Sequence, residues 1–310
     1  MDTARRSQES NAVSPRYAVV LQRLVLVVLL LLISGCRTVP ATGDIPQFRQ
    51  GLASVDQRTS QAFADINAFD RQRMIDFAAT QTSLDENHFQ LILERSDTEK
   101  WKRAFGLIDD YAQLLQKLLD PGQRDGVHKE LVVLGEQMGK VRNDELPAGV
   151  VSGIASLGGL LVQMKAEQDA MKAIRTADPA IRTTFTLMMT AIGDDQKSGL
   201  RGASWATWTK LLTSRVLAFH QANNITRRRE IAAQFAADLD GRDAQDRALN
   251  SIRRSLDLLS QAHSELAAGR TQGAAGLLEL VNAEYARWST TKSDIEKARE
   301  SAAKAEGAGK

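Results

Sequence analysis

The chain has 310 residues, a single cysteine at position 36 and a formal net charge of +2. Residues 1–35 hold four of the 40 basic and two of the 38 acidic residues, which leaves 36 against 36 in residues 36–310. That balance argues against a nucleic-acid partner, which a basic stripe would have to hold, and one cysteine excludes intrachain disulfides, zinc–cysteine sites and iron–sulfur clusters.

Leu24 to Ile33 is a run of ten apolar residues, preceded by Arg5, Arg6, Arg16 and Arg23. A helix of that length rises ~15 Å, about half the hydrocarbon core of a bilayer, so the run reads as the apolar region of a secretory signal peptide. The residues that follow, Ile33-Ser34-Gly35-Cys36, resemble the lipobox of bacterial lipoproteins: an aliphatic residue, two small ones and an obligatory cysteine. The resemblance implies cleavage before Cys36, transfer of a diacylglyceryl group to its thiol, and a mature chain with no free thiol left to serve as a nucleophile. Two or more acyl chains make such an anchor stable. Arg37 stands where an inner-membrane retention signal would carry Asp, so the expected location is the outer membrane, facing the periplasm. The expected organisation is a signal peptide over 1–35, a lipidated tether over 36–46 containing Pro40, Gly43 and Pro46, a helical domain over 47–304 and a disordered tail over 305–310.

Nearly everything after Pro46 has helical character. Phe48, Leu52, Val55, Thr59, Ala62, Ile66 and Phe69 alternate spacings of four and three, one stripe of a helix. Continued through Leu91 and Leu93, this predicts a first helix of about 45 residues, or ~70 Å. Ser96-Asp97-Thr98-Glu99 has the form of a capping box opening a second helix with Trp101, Phe105, Ile108, Tyr111 and Leu115 inward, ended by Asp120-Pro121-Gly122. A third presents Val127, Leu131, Leu134, Met138 and Val141; a fourth is predicted from Pro147 to about Thr176, and Asp178-Pro179 caps and starts a fifth with Ile181, Phe185, Met188 and Ile192 inward. After a polar break over 193–202, Trp205, Trp208, Leu212, Val216 and Phe219 resume an inward stripe. Asn223 is the expected cap of a long helix ended by Gly269, and a last helix carries Leu277, Val281, Tyr285, Trp288 and Ile295. No stretch alternates with period two. The predicted fold is all-α, an elongated antiparallel bundle of long helices with essentially no β-sheet.

Motifs that would carry chemistry are incomplete. Asp85/His88 and Asp125/His128 repeat the carboxylate-x-x-His spacing of di-iron bundles, but with Asp in place of Glu and in polar surroundings, so they read as solvated caps rather than metal ligands. Ile154-Ala155-Ser156-Leu157-Gly158 lacks the leading glycine of a serine elbow, and Gly158-Gly159 is followed by no Lys-Ser/Thr of a phosphate loop. His220 and His263 have no partner at ligand spacing, and Arg227-Arg228-Arg229 reads as a solvated face. No catalytic, cofactor or metal residue is assigned, and a non-enzyme is expected.

One stretch is anomalous: Leu146–Met164 runs for nineteen residues without a charge, with Gly149 and Gly153 in Gly-x-x-x-Gly spacing and Gly159 beyond. Such glycines serve close helix packing. Alternatively, the segment resembles the concealed apolar tongue of helical pore-forming cytolysins, or it lines the cavity of an apolar-ligand carrier. The function expected is a non-catalytic scaffold or adaptor, held to the membrane through acylated Cys36 and presenting a helical face to a protein partner in the envelope. Trp205 and Trp208, beside the glycine-rich break, are the candidate contact.

Overall fold

The computed structural model describes residues 44–79, 81–120, 122–164 and 170–307. The chain divides into two units, Met1–Val39 and Pro40–Lys310, and every described residue belongs to the second. The expected signal peptide, the lipobox residues Ile33, Ser34, Gly35 and Cys36, and most of the tether lie outside the described residues.

Among the described residues are eight α-helices and no strand: α1 (Asp44–Ala78), α2 (Arg95–Leu119), α3 (Arg124–Gly139), α4 (Val150–Val162), α5 (Ala170–Ile192), α6 (Gly199–Gln221), α7 (Ile225–Ala267) and α8 (Thr271–Gly307). The all-α antiparallel bundle of long helices is therefore the fold of this chain. Two boundaries differ from expectation. Asp44, Ile45 and Pro46 belong to α1 rather than to a tether, because Ile45 is a buried core residue, and α8 continues to Gly307 rather than giving way at 304.

The four–three stripe of α1 buries Phe48, Leu52, Val55, Ala62 and Ile66, and Thr59 fits among them by returning its hydroxyl to the Val55 carbonyl. The helix stops at Ala78, well short of Leu91. A single 3₁₀ turn, Glu86–Phe89, follows, with Asp85 capping it through the Asn87 N–H. The reason is tertiary: buried Asp70 accepts the Ile92 N–H at 3.1 Å and Leu93 enters the core, so the chain folds back against α1 instead of prolonging it. That fold-back also sets the start of α2, whose capping box pairs Glu94 with Asp97 rather than Ser96 with Glu99.

The predicted fourth helix is two helices. α4 ends at Val162 and α5 begins at Ala170, running through Pro179 without stopping. An interior proline costs about 3 kcal/mol. Here it is offset by a stripe that buries Ala173, Ile174, Ala177, Ala180, Ile181 and Phe185 on both sides of the ring. The polar break shrinks to a tight turn. Gly193 has φ +106°, and a Cβ there would lie 2.0 Å from the Ser198 carbonyl oxygen, so no other residue fits. The cap of α7 is Asn224, not Asn223, its side chain accepting the Arg227 N–H at 2.8 Å.

α1 lies against α2, α7 and α8, antiparallel to α7. Phe48 meets His263, Gly51 faces Leu259, and the buried guanidinium of Arg58 donates to Ser255 Oγ and to the Val281 carbonyl. Further along, Phe69 stacks on Trp208, which bonds Gln245. The α1 N-terminus therefore sits beside the C-terminal end of α7, and the α6–α7 turn lies at the opposite end, about 57 Å away along α7.

Candidate functional site

Three places concentrate polar or close-packed side chains: a buried relay, a glycine contact and a hairpin arm.

The relay joins α2, α5 and α7. Tyr111 Oη lies 3.1 Å from His263 Nε2, and His263 Nδ1 lies 3.0 Å from Asp178 Oδ1, which also accepts from Ser264 Oγ at 2.9 Å. Burial opposes ionisation of Asp178, but the hydrogen bonds from His263 and Ser264 and the charges of His263 and Arg182 outweigh it, and the carboxyl is held below its ordinary value. Burial, followed by the Asp178 charge, pushes the Tyr111 phenol well above its own. Tyr111 and His263 are fully buried. A phenol this reluctant to ionise and closed to solvent is no nucleophile; the cluster is a core bolt in which each buried polar atom has its partner. Sequence spacing gave His263 no partner because Tyr111 and Asp178 stand 152 and 85 residues away. Asp178 is thereby drawn out of its expected role as a cap.

The glycines of the uncharged segment divide by role. A Cβ on Gly153 would lie 2.6 Å from Thr184 Oγ1 and 2.9 Å from its Cα, so this residue does let α4 approach α5 closely. Gly149 sits at the N-cap of α4 with φ +84°, and Gly159 faces open space; neither packs a helix. The second close contact is one that spacing missed, Gly158 against Gly135 of α3, each Cβ position falling 2.6 Å from the other's carbonyl oxygen. The face through Val150, Ile154, Leu157 and Leu161 is closed by neighbours. α4 has 13 residues, about 20 Å. Among the described residues no helix is long and apolar enough to cross a membrane, and no group of three or more His, Cys, Asp or Glu is placed to hold a metal ion.

Of the two tryptophans of the expected contact, Trp208 is buried and offers no surface, whereas Trp205 keeps part of its ring exposed. Trp208 is 1% exposed, stacked on Phe69 with centroids 3.5 Å apart and donating Nε1–H to Gln245 at 2.8 Å. Trp205 is half-buried under the Arg242 guanidinium, 4.1 Å from its ring centroid. Both belong to the root of an arm formed by α6 and the N-terminal part of α7. The Arg201–Asp246 pair, bidentate at 2.9 and 3.1 Å and shielded from solvent, clamps that root. Trp208, Leu212 and Ile231 are buried but stand outside the main core cluster, so the arm has a small core of its own.

Toward its end the arm turns apolar on the outside. Val216 and Phe219, expected inward, are exposed, as are Leu217 at 58% and Ile225 at 73%. Two helices alone cannot bury more than one narrow seam, here Leu212 and Ile231, and the rest of the apolar residues face water. Beside them stand Arg227, Arg228 and Arg229, all exposed. Arg227 reaches Glu230 and Arg228 lies over the Phe219 ring.

Comparison with protein-family models, with curated proteins and with solved structures finds no match. The class this fold defines, an all-α antiparallel bundle, therefore rests on the chain's own residues.

Proposed function

We propose that this chain is a lipid-anchored envelope lipoprotein acting as a non-catalytic helical scaffold for a protein partner. The observation that carries the reading is the lipobox-like Ile33-Ser34-Gly35-Cys36 at the end of a ten-residue apolar run, a few residues ahead of a bundle with no other cysteine. An acylated Cys36 would hold the α1 end at the outer membrane, facing the periplasm, and the arm would stand about 57 Å from that end along α7. The relay in the core, tied into a bolt, and the closed α4 face support a structural role over a catalytic one or over an apolar-ligand carrier. α4, at 13 residues and fastened by Gly153 and Gly158 to its neighbours, supports the scaffold over a pore-former.

Metabolic labelling with a palmitate analogue should mark the chain and fail to mark Cys36→Ala, with intact mass showing residues 1–35 removed. A chain that keeps those residues and a bare thiol refutes the anchor. Crosslinking in cells should then yield one specific envelope protein that is lost in Cys36→Ala. Leakage of dye from liposomes that Gly153→Asp abolishes would favour the pore-former instead.

A further inference from the structure

The α6–α7 hairpin ends in a convex tip where the chain reverses through Ala222, Asn223 and Asn224. Four apolar side chains, Val216, Leu217, Phe219 and Ile225, are exposed around that reversal. Between Lys210 and Ile231 the chain carries five Lys or Arg and one acidic residue, Glu230, which leaves 31 basic against 35 acidic residues elsewhere in 36–310. Arg215 is paired with Asp238 of α7 at 3.0 Å, so, with Glu230 and Asp238 both counted, a balanced chain has gathered an excess of three positive charges onto one small apolar projection.

Helix stability does not account for the arginines. Arg227 and Arg228 lie in the first turn of α7 and Arg229 directly follows it; that turn contains no acidic residue, and cations there oppose the helix dipole. Packing accounts for Arg228 alone, which lies over the Phe219 ring and donates Nε–H to the Ala222 carbonyl at 3.0 Å; Arg227 and Arg229 are exposed, with Arg227 reaching Glu230 on its own helix. Apolar side chains that enter the acyl boundary, flanked by cations at headgroup height, are the chemistry of a surface contact with an acidic bilayer. The tip is also narrow and convex, a shape suited to pressing into a soft, laterally mobile surface; a stable protein interface needs about 800 Å² from each partner.

We propose that the α6–α7 tip docks on a lipid bilayer bearing anionic phospholipid headgroups, with Leu217, Phe219 and Ile225 entering the headgroup–acyl boundary and Arg227 and Arg229 meeting phosphates. The proposal does not depend on the fate of Cys36.

The test reads the tip itself. Full chain carrying Cys36→Ser and Leu217→Cys is labelled at the new thiol with nitrobenzoxadiazole and reconstituted in vesicles of phosphatidylcholine, alone or mixed equally with phosphatidylglycerol. An excess of the same vesicles is added from outside. The expected result is brighter, blue-shifted emission with phosphatidylglycerol only, reversed by high salt. Arg227→Ala with Arg229→Ala should weaken the response roughly tenfold or more, and Ile225→Ser should weaken it further without touching the core. The helical circular dichroism of each variant should match that of the parent. Emission that is the same in both lipid mixtures, or that survives the double arginine substitution, overturns the proposal. So does a label that stays in water throughout.

Discussion

Asp178 fastens α5 to α7 with a single oxygen, accepting from both His263 and Ser264, and through His263 it reaches Tyr111 of α2. Removing His263 as His263→Ala leaves a buried phenol without its partner and should cost about 1–3 kcal/mol, read as a lower urea midpoint at unchanged slope. The pH dependence has a definite sign. The folded-state value of Asp178 lies below its ordinary 3.8, so its contribution is fully present above that value and is lost as pH falls through the lowered one. Asp56 and Asp110 are raised, chiefly by burial, and act in the opposite direction. The Asp178 contribution should therefore appear in the difference between the parent and Asp178→Asn, shrinking below about pH 4. None of this network was legible in the sequence. Stripe reading correctly placed Tyr111 inward, but a pairing across 152 residues leaves no local trace, and Asp before Pro imitates a cap.

Periodicity located the stripes of α1, α2, α3 and α5 because each buries one face over several turns, the condition under which spacing carries information. It failed at ends. Where α1 stops is decided by Ile92 reaching Asp70, and where α4 stops and α5 starts is hidden by a continuous run of helix-forming residues that tolerates Pro179 inside it. The glycines of α4 make the element-level experiment. Gly153→Ala drives a methyl into Thr184 and should cost about 1–3 kcal/mol. Gly159→Ala meets nothing within 4 Å and should stabilise the helix by about 0.5–1 kcal/mol. Thermal melts of the two should move in opposite directions from the parent. Gly-x-x-x-Gly spacing had picked Gly149 and Gly153, and the uncharged run had added Gly159. Only the partner helix shows which of them has a neighbour.

Taken whole, the bundle has one large core and an arm whose small core rests on Trp208, Leu212 and Ile231. Amide exchange should reflect this: residues 209–231 should lose protection first, while the buried stretch from Ala104 to Leu115 should exchange only with global unfolding. Trp208→Ala removes the Phe69 stack and the Gln245 bond at the root, a loss of about 3–5 kcal/mol. It should raise exchange throughout the arm well before it raises exchange in α2. The exposed apolar end of that arm was misread because Val216 and Phe219 fall on a spacing that continues from Trp208. Periodicity reports a face, but not whether anything covers it.

The place of α1 sets a timing problem for biosynthesis. Its Arg58 bonds to residues 197 and 223 positions downstream, on the two helices made last. At ~5–20 residues per second, those partners leave the ribosome about 10–45 s after Arg58 does. Throughout that interval α2 can cover only part of α1, and the greasy side meant for α7 and α8 has no bed to lie in, so chains that terminate early enough to lack α7 will be prey for proteases rather than stable fragments.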